Sequence, residues 1–257
     1  MKAMKSSCKL LLVLGLFLSG SLSYGQGMAP SQKEKWEFVL APYMFMAGTS
    51  GDAILGVTGP SEFDLKFGDI LENLQFAFMF HGEAYKGDWG VIADYSYLKL
   101  GSDFDTPQEI LRDITFKQSI FELFASRRFK KDWGVIDLYG GIRVWNYNIE
   151  LAFQNIQISR ITRKQDWVDP TIGGRVFFNV SKRFLAGLRA DVGGFGLGSK
   201  FAFNLQPGIG YQFSDLFSLM LQYRYLSTDF DNDKEGIDYF EIDASTQGPL
   251  LGLVFRF

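Results

Sequence analysis

Apolar and polar residues alternate along most of the chain. In the segment 200–213, the odd positions from Phe201 to Phe213 are apolar and the even positions are polar or small. A period of two places the apolar residues on one face of a β-strand. The other face carries several glycines and amides, which suit a crowded barrel interior better than the water-exposed face of a soluble sandwich. This segment predicts a strand of a membrane barrel.

The same alternation recurs often enough to define a complete barrel. The predicted strands are 36–47, 75–86, 89–100, 121–128, 136–147, 168–180, 184–193, 200–213, 217–225 and 249–257. A tilted strand needs roughly 9 to 11 residues to cross a bilayer, and most of these segments reach that length. We predict an all-β fold, a closed antiparallel transmembrane β-barrel of about ten strands, with eight to twelve as the range.

The C-terminal segment predicts how the barrel closes. Leu251, Leu253, Phe255 and Phe257 alternate with smaller or charged residues, and the chain stops on the aromatic ring. An open terminal strand of this kind would leave an unpaired apolar edge, which natural proteins avoid. We therefore expect it to pair with the first strand, 36–47. A chance apolar tail on a soluble sandwich is the alternative.

The connections sort into two kinds. Tight turns at 86–89, 130–133, 181–183 and 213–215 are assigned to the periplasmic side, and longer outer loops to 48–73, 101–113, 148–166 and 229–241. The turn at 196–199 is a short exception that predicts a low rim. Segment 48–73 predicts a hairpin folded into or over the barrel; if both of its pieces crossed the membrane, the strand count would be twelve.

Four tryptophans lie near predicted strand ends. Trp36, Trp89, Trp133 and Trp167 are expected to form an aromatic girdle at the lipid headgroups. Packing in the core of a soluble protein is the other interpretation of their spacing.

The N-terminus has the pattern of a secretory signal peptide. Lys2, Lys5 and Lys9 precede an apolar run at 10–18 that is shorter than the roughly 20 residues of a membrane helix. We expect cleavage after Gly25, so that residues 1–25 are the signal and 26–257 the barrel. Cys8 falls in the removed piece and precedes the apolar run, unlike a lipoprotein cysteine, so no disulfide is expected.

Composition supports an exported membrane protein. The chain is 47% hydrophobic and 16% aromatic with 28 glycines, yet no later apolar run is long enough for a membrane helix. Its net charge of -3 becomes about -6 once the three signal lysines are removed, so nothing indicates nucleic-acid binding. We expect the bacterial outer membrane as location, lipid and the barrel-assembly machinery as partners, and no cofactor. The oligomeric state is open.

The predicted inward face carries charges of both signs in equal number, and every base is arginine. Buried charges need partners, and the guanidinium suits paired contacts with carboxylates. We favour a lumen plugged by salt bridges and a structural or interaction role. A narrow channel for small or hydrophobic solutes is the alternative, although balanced charge argues against strong ion selectivity. The charged ladder consists of Glu83, Asp94, Glu122, Arg128, Asp137, Arg143, Asp169, Arg175, Arg189, Asp191, Arg224 and Arg256.

His81 is the single histidine and the one candidate for catalysis. It shares the predicted inward face with Glu83 and is expected near Asp94, so a lipid-modifying barrel enzyme is a third hypothesis. No Gly-x-Ser-x-Gly elbow accompanies it, and we expect a structural histidine rather than an enzyme. No metal cluster is expected. The acidic segment 229–235 lacks the full spacing of a calcium loop and is interpreted as a solvated loop.

Several motifs resemble a known class of proteins. The segments 167–175, 191–199, 210–215 and 223–226, together with 69–74 and 248–252, are similar to a widespread family of uncharacterised bacterial outer-membrane β-barrel proteins. More distantly the chain resembles the OmpA-like and OmpW-like small barrels. The ending Gly252, Phe255, Phe257 resembles the C-terminal assembly signal of such barrels, except that Leu250 replaces a polar residue. The resemblance implies the architecture of an outer-membrane β-barrel, but it implies no reaction and no ligand.

Overall fold

A computed structural model describes residues 35–56, 59–103, 111–153 and 160–257. The predicted signal peptide, 1–25, lies outside the described residues. No helix in the described part of the chain has the length and apolar character needed to cross a membrane.

The described chain is almost entirely β-structure. Its strands are β1 Trp36–Phe45, β2 Gly48–Leu55, β3 Ser61–Leu65, β4 Leu74–Lys86, β5 Trp89–Asp103, β6 Leu111–Lys131, β7 Gly134–Phe153, β8 Arg160–Asn179, β9 Phe184–Gly193, β10 Phe201–Gln212, β11 Phe217–Asp231 and β12 Phe240–Arg256. One helix, α1 Phe67–Glu72, precedes β4, and a 3-10 turn, Gly236–Asp238, precedes β12.

Ten strands form a closed antiparallel ring. The order runs β1, β4, then β5 to β12 in sequence, and β12 pairs back to β1. At this seam Val39 is opposite Arg256, and reciprocal backbone hydrogen bonds of 3.1 and 3.0 Å join Phe38 to Phe257. The predicted barrel and its closure by the first and last strands are confirmed.

The uncertain segment 48–73 forms a hairpin that lies outside the ring. Residues 250–256 of β12 pair with β1, whereas residues 240–247 pair with β2, which in turn pairs with β3. β2 therefore continues the course of β1 along the same edge of β12. The hairpin extends the barrel wall, so the prediction that it folds into or over the barrel was wrong, and the strand number of the ring stays at ten.

The two ends of the barrel differ as predicted. Tight turns at 87–88, 132–133, 180–183 and 213–216 lie at the end where β1 starts and β12 stops, which we call the short-turn end. Gly87 has a φ of 63°, a left-handed conformation that favours glycine in a two-residue hairpin turn. We call the opposite end the loop end.

The outer loops were predicted too long at 101–113, 148–166 and 229–241. β5, β6, β7, β8, β11 and β12 all extend into them. The cause is a reversal of side-chain polarity along the strands. In β7, for example, outward positions change from Val144 to Asn146, while inward positions change from Arg143 to Trp145 and Tyr147.

The same reversal occurs at matching heights in five neighbouring or facing strands. Outward residues turn polar between Phe121 and Ser119 in β6, Val168 and Asp166 in β8, Tyr225 and Ser227 in β11, and Pro249 and Gln247 in β12. Below this level the outer surface is an exposed apolar belt, with residues such as Phe38, Leu138, Ile172 and Ile209. Only lipid provides suitable surroundings for such a belt.

Above the reversal, the wall divides into two facing sheets. β9 stops at Gly193 and β10 starts at Phe201, so that the rim is low there, as predicted. One sheet continues from β5 to β8 and the other consists of β11, β12, β2 and β3. Their inner faces pack together in a buried cluster of Ile120, Trp145, Tyr147, Trp167, Leu226, Phe230, Phe240, Ile242 and Ala244.

Trp167 is therefore not part of an aromatic girdle, and that prediction was wrong. Its side chain is 6% exposed, whereas those of Trp36, Trp89 and Trp133 are 55%, 62% and 45% exposed. Trp167 has the same parity in β8 as Asp169 and Arg175, which places it on the inward face.

The seam gives a test of the fold. A folded barrel resists detergent unless it is boiled, so the unboiled protein should migrate faster on a denaturing gel than the boiled protein. Deleting residues 255–257 removes the last pairs between β1 and β12, and we expect the fast band to be lost or strongly reduced. Leu197→Ala, at a side chain that is 81% exposed, is the control and should keep the fast band. A fast band of full intensity in the truncated chain would contradict this role of the seam.

Candidate functional site: the lumen

The lumen contains three zones stacked along the barrel. The aromatic cluster fills the loop end, a layer of charged side chains lies below it, and a cavity opens at the short-turn end. All twelve residues of the predicted charged ladder lie on the inward face.

Glu122 is the centre of the first charged group. Its carboxylate has no exposed surface and contacts three guanidinium groups, at 2.7 Å from Arg143, 2.6 Å from Arg189 and 3.1 Å from Arg224. Asp191 completes the group at 2.6 Å from Arg143 and 3.0 Å from Arg189. These residues come from β6, β7, β9 and β11, so the contacts cross the whole lumen.

Glu83 and Asp137 hold the second charged group. Arg175 binds Glu83 through two hydrogen bonds of 2.6 Å and Asp137 through one of 2.9 Å. Arg128 contacts the same two carboxylates and lies over the ring of Tyr85 at 3.6 Å. Paired guanidinium–carboxylate contacts and a cation–π contact together compensate for the removal of these charges from water.

One glycine makes room for these side chains. A Cβ atom added to Gly173 would lie 2.4 Å from the Cβ of Asp191, its neighbour across the β8–β9 pair. Glycine at this inward position lets Asp191 turn toward its arginines.

His81 links the second group to Asp94. Its Nδ1 is 3.0 Å from Asp94 Oδ2, and its Nε2 is 2.9 Å from Glu83 Oε1. When both carboxylates are ionised they can only accept hydrogen bonds, and both ring nitrogens then donate, so that the imidazole is the doubly protonated cation. Tyr43 donates a further hydrogen bond of 2.7 Å to Asp94.

Three ladder residues do not form arginine–carboxylate pairs. Asp94 is held by His81 and Tyr43, as just described. Asp169 accepts hydrogen bonds from the indole of Trp145 at 2.7 Å and from the backbone and hydroxyl of Ser199 at 2.7 and 2.9 Å. Arg256 donates a hydrogen bond of 2.8 Å to Ser218 and forms no salt bridge with any carboxylate of the described chain.

The aromatic zone closes the loop end by ring stacking. Trp167 stacks on Phe230 of the facing sheet with ring centroids 4.0 Å apart and planes 9° from parallel. Tyr147 and Trp145 stack beside Trp167 at 5.3 and 5.6 Å. This zone was missed from the sequence, although the reversal of polarity at Trp145 and Tyr147 is a signal that would have revealed it.

Two cavities lie on opposite sides of the charged and aromatic zones. The larger, of about 750 Å³, has its mouth at the short-turn end, and its deepest lining residues belong to the two charged groups. The smaller, of about 230 Å³, is lined by loop-end residues such as Tyr147, Lys234 and Phe240. No residue lines both cavities.

The acidic loop-end residues bind a cation from their own chain. Lys200 lies within 3.6 to 3.7 Å of Asp229, Asp231 and Glu241. Slight burial acts to lower the pKa of Lys200, but these carboxylates outweigh it and raise that pKa. A hydrogen bond to Glu241 raises the pKa of Tyr239 to about 12. Among the described residues, no group of three or more histidine, cysteine or acidic side chains is arranged to bind a metal ion.

Comparisons with known proteins identify the fold and no family. No protein-family model matches the chain, and no curated protein matches it. Among solved structures, the chain is similar to the outer membrane protease OmpT from Escherichia coli, with a TM-score of 0.57 and 9% identity over 91% of this chain and 99% of that chain. The chain thus has the fold of a bacterial outer-membrane β-barrel.

Two other solved barrels align over similar lengths with lower scores. The attachment invasion locus protein Ail of Yersinia pestis gives a TM-score of 0.38 and 13% identity, covering 87% of this chain and 99% of that chain. Neisserial surface protein A gives 0.36 and 12%, covering 87% and 100%.

Glu122 provides a test of the charged layer. Glu122→Ala would leave three arginines around an empty site, and removing one partner of a buried ion pair costs about 3–5 kcal/mol. We expect that loss in the free energy of unfolding, measured by urea titration in lipid vesicles. Glu62→Ala, at an exposed position of β3, should change it by less than about 0.5 kcal/mol. Equal stability of the two variants would show that the charged layer does not hold the barrel.

Proposed function

We propose that the chain is an integral protein of the bacterial outer membrane with a sealed lumen, acting as a structural or interaction protein rather than as a pore. The apolar belt below the polarity reversal supports lipid as its surroundings, and the closed ring satisfies the backbone hydrogen bonds within it. The short-turn end faces the periplasm in this proposal, as is usual for such barrels. The resemblance to the OmpA-like and OmpW-like small barrels supports the same location.

The observation that carries the sealed lumen is the continuous filling above the larger cavity. Glu122, Arg143, Asp137 and Asp169 have no exposed surface, and the stacked aromatic cluster lies above them. A solute would have to displace both paired charges and packed rings to pass. A barrel of eight strands is already narrow enough to be filled by its own side chains, and ten strands enlarge it only modestly.

The two ends then have different partners. The loop end presents polar strand extensions and acidic loops, which suit contacts with molecules outside the cell. At the seam, Gly252, Phe255 and Phe257 are the residues we assign to recognition by the barrel-assembly machinery. Phe255 packs against Phe217 at 5.4 Å, and Phe257 is 64% exposed on the outer surface.

Conductance tests the sealed lumen against the narrow-channel alternative. The purified protein reconstituted in a planar bilayer should give no stable unitary current steps, because buried charged and aromatic side chains occupy the lumen above the larger cavity. A porin inserted in the same lipid is the positive control. Stable steps that scale with protein would establish the channel instead.

Enzymatic activity is not part of the proposal. A general base needs a free nitrogen, and both nitrogens of His81 are occupied by carboxylates. We expect no turnover of labelled lipid A or phospholipid by the wild type or by His81→Ala. Turnover by the wild type that is lost in His81→Ala would establish the lipid-modifying enzyme.

A further inference from the structure

The larger cavity has the size and lining of a small-molecule site. Its volume of about 750 Å³ lies within the roughly 300–1,000 Å³ typical of ligand pockets. Apolar side chains from β1 and from β8 to β12 form part of its lining, among them Val39, Phe177, Leu185, Met220 and Val254. Glu83, Arg128 and Arg175 of the second charged group also line the cavity.

The charged side chains of the lumen include one more cation than carboxylates. With His81 protonated, the ladder and His81 together carry seven cations against six carboxylates, and of these charges Asp169 and Arg256 have only neutral hydrogen-bond partners. Apart from Arg256, the cations are Arg128, Arg143, Arg175, Arg189, Arg224 and His81. Glu37, at the mouth, is bound by Lys130 at 3.0 Å and by Arg128 at 3.8 Å. Arg256 has a neutral hydroxyl as its hydrogen-bond partner and lines the cavity near its mouth.

A second polar group, deeper in the cavity, has a hydrogen-bond acceptor that is not used within the described chain. Gln206 is 8% exposed and donates to Gln222 at 3.0 Å, and its Oε1 has no hydrogen-bond partner among the described residues. A buried acceptor of this kind costs free energy unless a donor reaches it. Both glutamines line the cavity.

The spacing of these groups sets the length of a ligand. Arg256 reaches Ser218, and Gln222 lies four residues further along β11, which is about 13 Å in a strand. Met220 lies between these levels, and Val254 is directly opposite Ser218.

We propose that this cavity binds a small amphipathic anion from the periplasmic side, with its acidic group on Arg256 and its apolar body against Met220 and Val254. A hydrogen-bond donor at the far end of the body binds Gln206 Oε1, which is buried and must turn toward the cavity to accept it. The ligand class is a medium-chain acid bearing a distal hydroxyl, either as a free acid or as part of a single-chain lipid. This site is separate from the seal above it, so conductance and binding test different proposals.

Calorimetric titration of the barrel in lipid nanodiscs tests the site, with empty nanodiscs as the blank. The probes are 10-hydroxydecanoate, decanoate, 1,10-decanediol and decyltrimethylammonium. We expect 10-hydroxydecanoate to bind more tightly than decanoate by about two- to tenfold, the worth of one neutral hydrogen bond. The neutral and cationic probes should bind at least about tenfold more weakly, since they lack the charged contact. Lysophosphatidylglycerol with a ten-carbon chain forms a second arm that distinguishes a lipid from a free acid.

Variants assign the binding to the cavity. Arg256→Ala should weaken decanoate binding by about ten- to a hundredfold, and Arg256→Lys should restore part of it. Lys200→Ala removes an exposed cation at the loop end and should leave binding unchanged. Ala41→Leu narrows the cavity beside Met220 and should also weaken binding. The gel shift of unboiled protein shows which variants are folded.

Binding no stronger than to empty nanodiscs for all probes would overturn the proposal. So would equal affinity in folded Arg256→Ala and the wild type, or equal binding of the anionic and cationic probes.

Discussion

Glu122 and its three arginines connect the wall of this barrel across the lumen. The carboxylate on β6 is reached by guanidinium groups from β7, β9 and β11, so one buried charge ties together strands that are not neighbours in the ring. The Glu122 carboxylate and the Arg143 guanidinium have no exposed surface, so their charges must be compensated by side chains of the wall. The all-arginine choice follows, because a guanidinium can serve two carboxylates at once. Arg143, Arg175 and Arg189 each do so.

The alternating pattern of the sequence was sufficient to predict the ten-stranded barrel. It was not sufficient to predict the strand extensions at the loop end. Period-two alternation located all ten ring strands and the seam, because a strand between lipid and lumen must alternate. The same rule misled above residue 144 of β7. There the pattern predicts apolar residues on the outward face, whereas Trp145 and Tyr147 face inward and Asn146 faces outward. The alternation itself never stopped; only its direction reversed, and segments called loops were strands between two packed sheets.

The charged site shows a different limit. Parity within each strand was enough to place twelve charged residues in the lumen, since parity is a local property. Their partners were not accessible in the same way. Glu122 and Arg224 are 102 residues apart and lie on strands separated around the ring, so that only the closed barrel brings them together. The surplus of one cation, and with it the particular position of Arg256, also emerges only when each contact is known.

Because the wall divides into two sheets at the loop end, the two ends of the barrel differ in mechanical strength. In the described chain, no backbone pairing joins the outer part of β8 to that of β11; the rings of Trp167 and Phe230 meet there instead. Widening the lipid-covered zone would require ladder hydrogen bonds to break between adjacent strands. Parting the sheets at the loop end requires only that aromatic rings unstack, with every strand pair intact. Mechanical compliance is therefore concentrated at the loop end, while the part of the barrel inside the apolar belt behaves as a rigid hoop.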